Sequence, residues 1–156
     1  MRWGCLAQRA AKEALQGVQT DTCRTAGEQL WLRYGQRGVR GEAASGFPSL
    51  RYLALPALQT ALSERKTLEQ AGLHALLHLM AGVQDTNLAA RGGRAGQRFA
   101  SQYAAKLLSQ EGGETHAALQ KFDQDMIRRN LSPGGCADLL AMTYLLHFLQ
   151  ESAASF

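Results

Sequence analysis

Apolar residues recur along this chain at the three-to-four spacing of a helix face, and no segment alternates as a strand would. Leu6, Ala10, Ala14, Leu15 and Val18 make one stripe, and Ala26, Leu30 and Tyr34 make another over about 25–34. Residues 48–62 read as helical, with Pro56 ending or kinking the helix because proline has no N–H to donate. The pattern is strongest over 67–83, through Leu68, Ala71, Ala75, Leu76, Leu79 and Met80. Further helices are expected over 94–110, through Phe99, Tyr103 and Leu107 and stopped by Gly112 and Gly113, and over 115–129, through Leu119, Phe122, Met126 and Ile127. The last, from Pro133 to about Gln150, is apolar nearly all round, which predicts a helix central in the core. The fold expected is an all-α bundle, a single domain over 1–156 with its functional loops at helix ends.

Three polar, glycine-bearing segments break this pattern and read as loops: 38–47 (GVRGEAASGF), 85–93 (DTNLAARGG) and 130–138 (NLSPGGCAD). Glycine lets backbone amides approach a ligand, carboxylates hold cations or protons, and arginine fits phosphate in a bidentate fork. In the third segment Ser132 and Pro133 suit an N-cap and a first helical position. Gly134 and Gly135 in the following turn each cost about 1 kcal/mol relative to alanine, which close packing or ligand approach must offset. A helix N-terminus there could receive an anion. Asp138, beside Leu139 and Leu140, is expected at the edge of the buried helix and so to need a partner, or else simply to complement the helix dipole. In the second segment Asp85, Thr86 and Asn87 offer oxygen ligands of the kind Mg²⁺ takes, with Arg91 one turn on; the structural alternative is that Asp85 or Asn87 caps a helix while Arg91 pairs with a surface acid. In the first, Arg40 and Glu42 could form an exposed ion pair, or the glycines around them could bring backbone close to a ligand.

Size, charge and cysteines narrow the class. The chain has 156 residues, 46% of them hydrophobic, enough for one packed core. Seventeen basic residues against thirteen acidic leave a net charge of +4, scattered rather than gathered into a block. No zinc-finger spacing or basic run interleaved with aromatics supports nucleic-acid binding. Cys5, Cys23 and Cys136 are odd in number and far apart, as in a reduced, cytoplasmic protein, and no apolar run is long enough for a membrane span. His74 and His78 lie one turn apart but lack a zincin glutamate and an evident third ligand. Asp123 and Asp125 fall on different faces of one helix; Asp123, two turns before Asn130, is the one placed to face the loops. Phe99, Tyr103 and Leu107 read as core rather than as a base-stacking platform.

Taken together, 41–47 (GEAASGF), Asp85-Thr86-Asn87 with Arg91-Gly92-Gly93, and Phe122-Asp123 followed by 130–135 (NLSPGG) and Ala137-Asp138-Leu139-Leu140 resemble the triphosphoribosyl-dephospho-CoA synthase family. The resemblance runs from about residue 25 to the last helix and corresponds to the C-terminal half of a usual member. It implies an all-helical cytoplasmic transferase making the precursor of the citrate lyase prosthetic group, with relatives serving malonate decarboxylase. In that reaction the 2′-hydroxyl of 3′-dephospho-CoA attacks C1′ of the ATP ribose, adenine leaves, and the triphosphate stays on the transferred ribose. It further implies Glu42, Asp85 and Asp138 as catalytic carboxylates sharing one pocket, with Asp85 and Asp138 also holding Mg²⁺. Arg40, Asn87, Arg91, Ser132, Gly134 and Gly135 are the implied substrate and phosphate contacts. Members also carry an N-terminal half with Thr-Pro-Lys-Pro-Gly-type and Asn-Thr-His-Lys-Gly-type segments. Neither occurs here, so an N-terminal half or a second subunit is an expected partner. The competing reading is a non-catalytic helical domain that binds a nucleotide or a protein.

Overall fold

The computed structural model describes residues 8–10, 12, 13, 25, 28, 29, 31, 32, 35 and 38–154. The stripe expected over 6–18 and the helix expected over 25–34 fall mainly outside the described residues. Among the described residues every regular element is helical. In chain order these are α1 (Gly38–Ala44), a π-helical turn (Leu50–Ala54), α2 (Leu55–Ser63), α3 (Leu68–Gly82), α4 (Thr86–Ser109), α5 (His116–Arg128) and α6 (Gly134–Ala154). The all-α expectation holds.

Two segments read as loops are helical. Residues 38–44 form α1, because the interior Val39, Arg40, Glu42 and Ala43 tolerate a helix that the flanking glycines obscure. Its end is a Schellman motif: the Phe47 N–H reaches Glu42 O at 2.7 Å and the Gly46 N–H reaches Ala43 O at 3.2 Å, with Gly46 at φ +79°. Residues 86–93 are the first turns of α4. The same C-terminal motif closes α5, where Asn130 takes φ +53° and Leu131 donates to Met126 O at 2.9 Å. Asn130 is thus a helix cap, and its neighbour Leu131 is carried into the core.

Pro56 does not end the helical run, but the helix changes from π to α beside it. The Leu55 N–H bonds Leu50 O, five residues back, and Pro56 then occupies the start of α2. The wide π turn lies just where the proline ring would otherwise crowd a carbonyl four residues earlier. In α3 the expected boundaries hold: Thr67 and Gln70 form a reciprocal capping box.

The central helix is α3, not α6. It packs against α2, α4, α6 and the π turn, and it buries Ala71, Ala75, Leu77, Leu79 and Met80. Gly72 admits α6 closely: a methyl there would fall 1.6 Å from Tyr144 Oη, which donates to Leu68 O at 3.3 Å. Helix α6 turns Cys136, Leu139, Thr143 and His147 inward but leaves Leu145, Phe148 and Leu149 exposed. Its apolar residues surround the helix, yet only one face is covered. On the opposite flank the Phe99–Tyr103 stripe is core-associated as expected, with Tyr103 stacked on Phe122 at 4.4 Å and the Arg129 guanidinium 4.0 Å from the Phe99 ring centre.

Candidate functional site

The first turn of α4 is where the three polar segments meet. Asp85 is its N-cap, and Oδ1 accepts the Asn87 N–H at 2.8 Å and the Leu88 N–H at 3.3 Å. Oδ2 accepts the Cys136 N–H of α6 at 2.8 Å, so one carboxylate caps two helices 51 positions apart. Gln97 holds the linker in place, accepting from the Asp85 N–H at 3.0 Å and donating to Val83 O at 3.1 Å. Thr86 abuts α1: a methyl on Gly38 would stand 2.8 Å from Thr86 Cγ2. Asn87 abuts α6, since a methyl on Gly134 would stand 2.4 Å from Asn87 Nδ2, and one on Gly135 would stand 3.2 Å from the Asp85 carboxyl carbon. The two glycines are therefore the close-approach surface of α6 against α4. Arg91, one turn after Asn87, donates to Asn130 Oδ1 at 3.2 Å.

Several of the expected site residues hold structural positions. Asp85 is 2% exposed, and its oxygens accept three backbone N–H groups. The capping alternative is the one realised. Burial pushes the Cys136 thiol well above its ordinary range, and the neighbouring Asp85 charge and hydrogen bond add to this, which leaves the sulfur unreactive. Asp138 is exposed and needs no compensating partner. Helix α6 begins at Gly134, so Ser132 and Pro133 precede it, half-buried. Arg40 pairs with Glu28 at 3.3 Å rather than with Glu42. Gly92 makes room for Leu131: a methyl there would lie 2.4 Å from Leu131 Cδ2, and one on Gly96 2.7 Å from the same atom.

Two polar surfaces flank the junction. On one side a cleft of about 300 Å³ runs between α1 and the α3–α4 linker, lined by Gly38, Gly41, Glu42, Ser45, Ser49 and Gln84 among others. Glu42 is half-buried in its wall, oriented by the Ser49 N–H at 3.0 Å and the Ser49 hydroxyl at 2.6 Å. On the other side Asn87 and Arg91 share one face of α4, and Asp138 lies one turn beyond Gly134 on α6, the same face that meets Asn87. Glu42 thus stands in the cleft wall, Asp85 at the buried cap of α4, and Asp138 on the exposed side of α6.

The remaining candidates have structural partners. His74 Nδ1 lies 2.7 Å from Glu114 Oε1, and His78 meets the His74 ring edge-on at 4.7 Å. Partial burial lowers the His78 pKa, the neighbouring His74 lowers it further, and Glu114 opposes both. Among the described residues no three His, Cys, Asp or Glu side chains are grouped to hold a metal. Asp125 pairs with Arg128, whereas Asp123 lines an apolar cleft of about 280 Å³ that ends at Ser132 and Pro133. What the sequence reading missed is Gln97 and Ser49, whose work is to hold other residues; neither lies in a polar segment, so no local signal marked them.

A helical bundle whose separated glycine-rich segments converge on one helix N-terminus is the class of protein this architecture defines. The chain belongs to the ATP:dephospho-CoA triphosphoribosyl transferase family, whose model matches residues 4–155. It is 51% identical over 132 residues to a 2-(5''-triphosphoribosyl)-3'-dephosphocoenzyme-A synthase of Pectobacterium atrosepticum, a stretch covering 83% of this chain and 43% of that protein. Similar proteins of the same name occur in Klebsiella pneumoniae, 49% identical over 77% of this chain and 41% of the relative, and in Escherichia fergusonii, 44% identical over 88% and 46%. The chain therefore spans less than half the length of the curated relatives it matches. No solved structure matches it. No helix among the described residues is long and apolar enough to cross a membrane.

Proposed function

We propose that this chain carries part of the active site of a transferase that joins the ATP-derived 5-triphosphoribosyl group to the 2′-hydroxyl of 3′-dephospho-CoA with release of adenine. The product would be the precursor of the citrate lyase prosthetic group, and both substrates put the work in the cytoplasm. The observation that carries this reading is the meeting of all three family segments at the first turn of α4, with a polar cleft beside it. Glu42, held by two bonds from Ser49 at the cleft wall, is the base toward the attacking hydroxyl, since a base must be aimed before its pKa matters. Asn87 and Arg91 face the triphosphate. Asp85 serves by positioning, locking α4 against α6. Mg²⁺, held mainly by phosphate oxygens with Asp138 as a single carboxylate ligand, would neutralise triphosphate charge, in keeping with a cation that commonly takes one or two carboxylates plus substrate phosphates.

Because the relatives are more than twice as long as the matched stretch, the complete reaction draws also on a polypeptide portion corresponding to the rest of them. The test is adenine release from ATP, Mg²⁺ and 3′-dephospho-CoA by the chain with and without that polypeptide. Release is expected only with both, and Glu42→Gln should lower kcat about 100-fold or more with unchanged thermal stability, the usual scale for removing a general base. Failure to release adenine under either condition overturns the reading.

A further inference from the structure

Helix α6 presents apolar side chains on two opposite faces and buries only one. Cys136, Leu139, Thr143 and His147 point into the bundle, whereas Leu145 and Leu149 point away from it at 58% and 56% exposure. Phe148, 46% exposed, stacks beside Tyr144 at 6.4 Å and widens the strip toward α3. Tyr52, 68% exposed, stands on the π turn that packs against the same helix. Scattered exposed leucines are ordinary, but a helix that is apolar all round is one that proteins bury on every side. Two leucines one turn apart with an adjacent phenylalanine are the face of an interior helix laid open.

We infer that this outer face of α6 is the docking surface for the polypeptide corresponding to the part of the relatives that lies outside the matched stretch, received as a helix with an apolar face. The inference rests on the reading of the chain as one portion of a longer synthase. More than half of the Pectobacterium relative lies outside the aligned residues. The apolar face of α6 that stays exposed is where a helix from that unmatched portion would pack. Between 134 and 154 there is no lysine or arginine, and Asp138 and Glu151 are the acids, so Leu145, Phe148 and Leu149 offer a partner apolar packing.

The experiment co-expresses this chain with the unmatched portion of the Pectobacterium relative and measures co-purification and affinity in the absence of substrate. The wild-type chain should form a stoichiometric complex. The double variant Leu145→Asp with Leu149→Asp, both at solvent-facing positions and checked for unchanged helical signal, should bind at least tenfold more weakly. Ile127→Asp, equally exposed but on α5, should bind as the wild type. Absence of a complex, equal binding by the double variant, or equal loss in Ile127→Asp overturns the proposal. So does a wild-type homodimer that the double variant abolishes, since the face would then belong to a second copy. A complex that forms through α6 but releases no adenine sinks the enzymatic reading alone, whereas adenine released undiminished by the double variant sinks the docking alone.

Discussion

Asp85 shows how one side chain can look like a ligand in the sequence and act as a joint in the structure. A carboxylate followed by Thr86 and Asn87 suits a cation as well as a helix cap, because oxygen lone pairs serve a metal ion or backbone N–H donors alike. The distinction comes from Cys136, whose N–H arrives at 2.8 Å from a helix far along the chain. Replacing Asp85 with alanine removes the acceptor of three amide donors, those of Leu88 and Cys136 buried, so Asp85→Ala is expected to cost about 2–4 kcal/mol in denaturant unfolding. A full-stability Asp85→Ala variant would show that the junction is not held this way. Asp138 illustrates the opposite error: its apolar neighbours suggested burial, but a helix rotates successive residues by 100°, and position 138 faces solvent. Glu42 was visible as a candidate, whereas Ser49, which aims it, was not, because a serine seven residues away carries no local mark of that partnership.

Among the helices, the sequence was most legible where apolar spacing and caps agree. Apolar spacing starts α3 at 67, and the structure places a Thr67–Gln70 capping box there. It was least legible where glycine has two meanings. Gly93 adopts φ 59° and ψ −162°, which breaks α4 after its second turn, while Gly92 and Gly96 serve as a slot for Leu131. Side chains other than glycine are nearly excluded from that backbone region, so Gly93→Ala should cost about 1–3 kcal/mol and lower the thermal midpoint, although open space surrounds the position. An unaltered midpoint would mean that α4 can straighten without penalty. Pro56 is ambiguous for a related reason: proline restricts the turn before it, and a π turn is a solution that no propensity scale distinguishes from a helix end.

For the molecule as a whole, pH reaches stability through the contact between α3 and the α4–α5 connection. His78 has a folded pKa below the ordinary 6.5, from burial first and the His74 charge second, against the attraction of Glu114. Protonation therefore favours the unfolded chain: the stabilising share is complete above pH 6.5 and shrinks as pH falls through 6.5 toward the lower folded value. His78→Gln should flatten the drop in melting temperature between pH 7.5 and 5.5, and an equally steep drop in the variant would remove His78 as its source. At this scale the division of information is clear. Apolar periodicity, capping residues and the order of three segments were enough for an all-helical bundle and its family, because helical hydrogen bonds and caps are made within a few positions of one another. Which carboxylate is buried, that Gly134 and Gly135 seat one helix on another, and that α3 rather than α6 is the inner helix all depended on contacts between residues tens of positions apart. Those contacts are chosen by how complete surfaces fit, and no short window of a chain contains both surfaces.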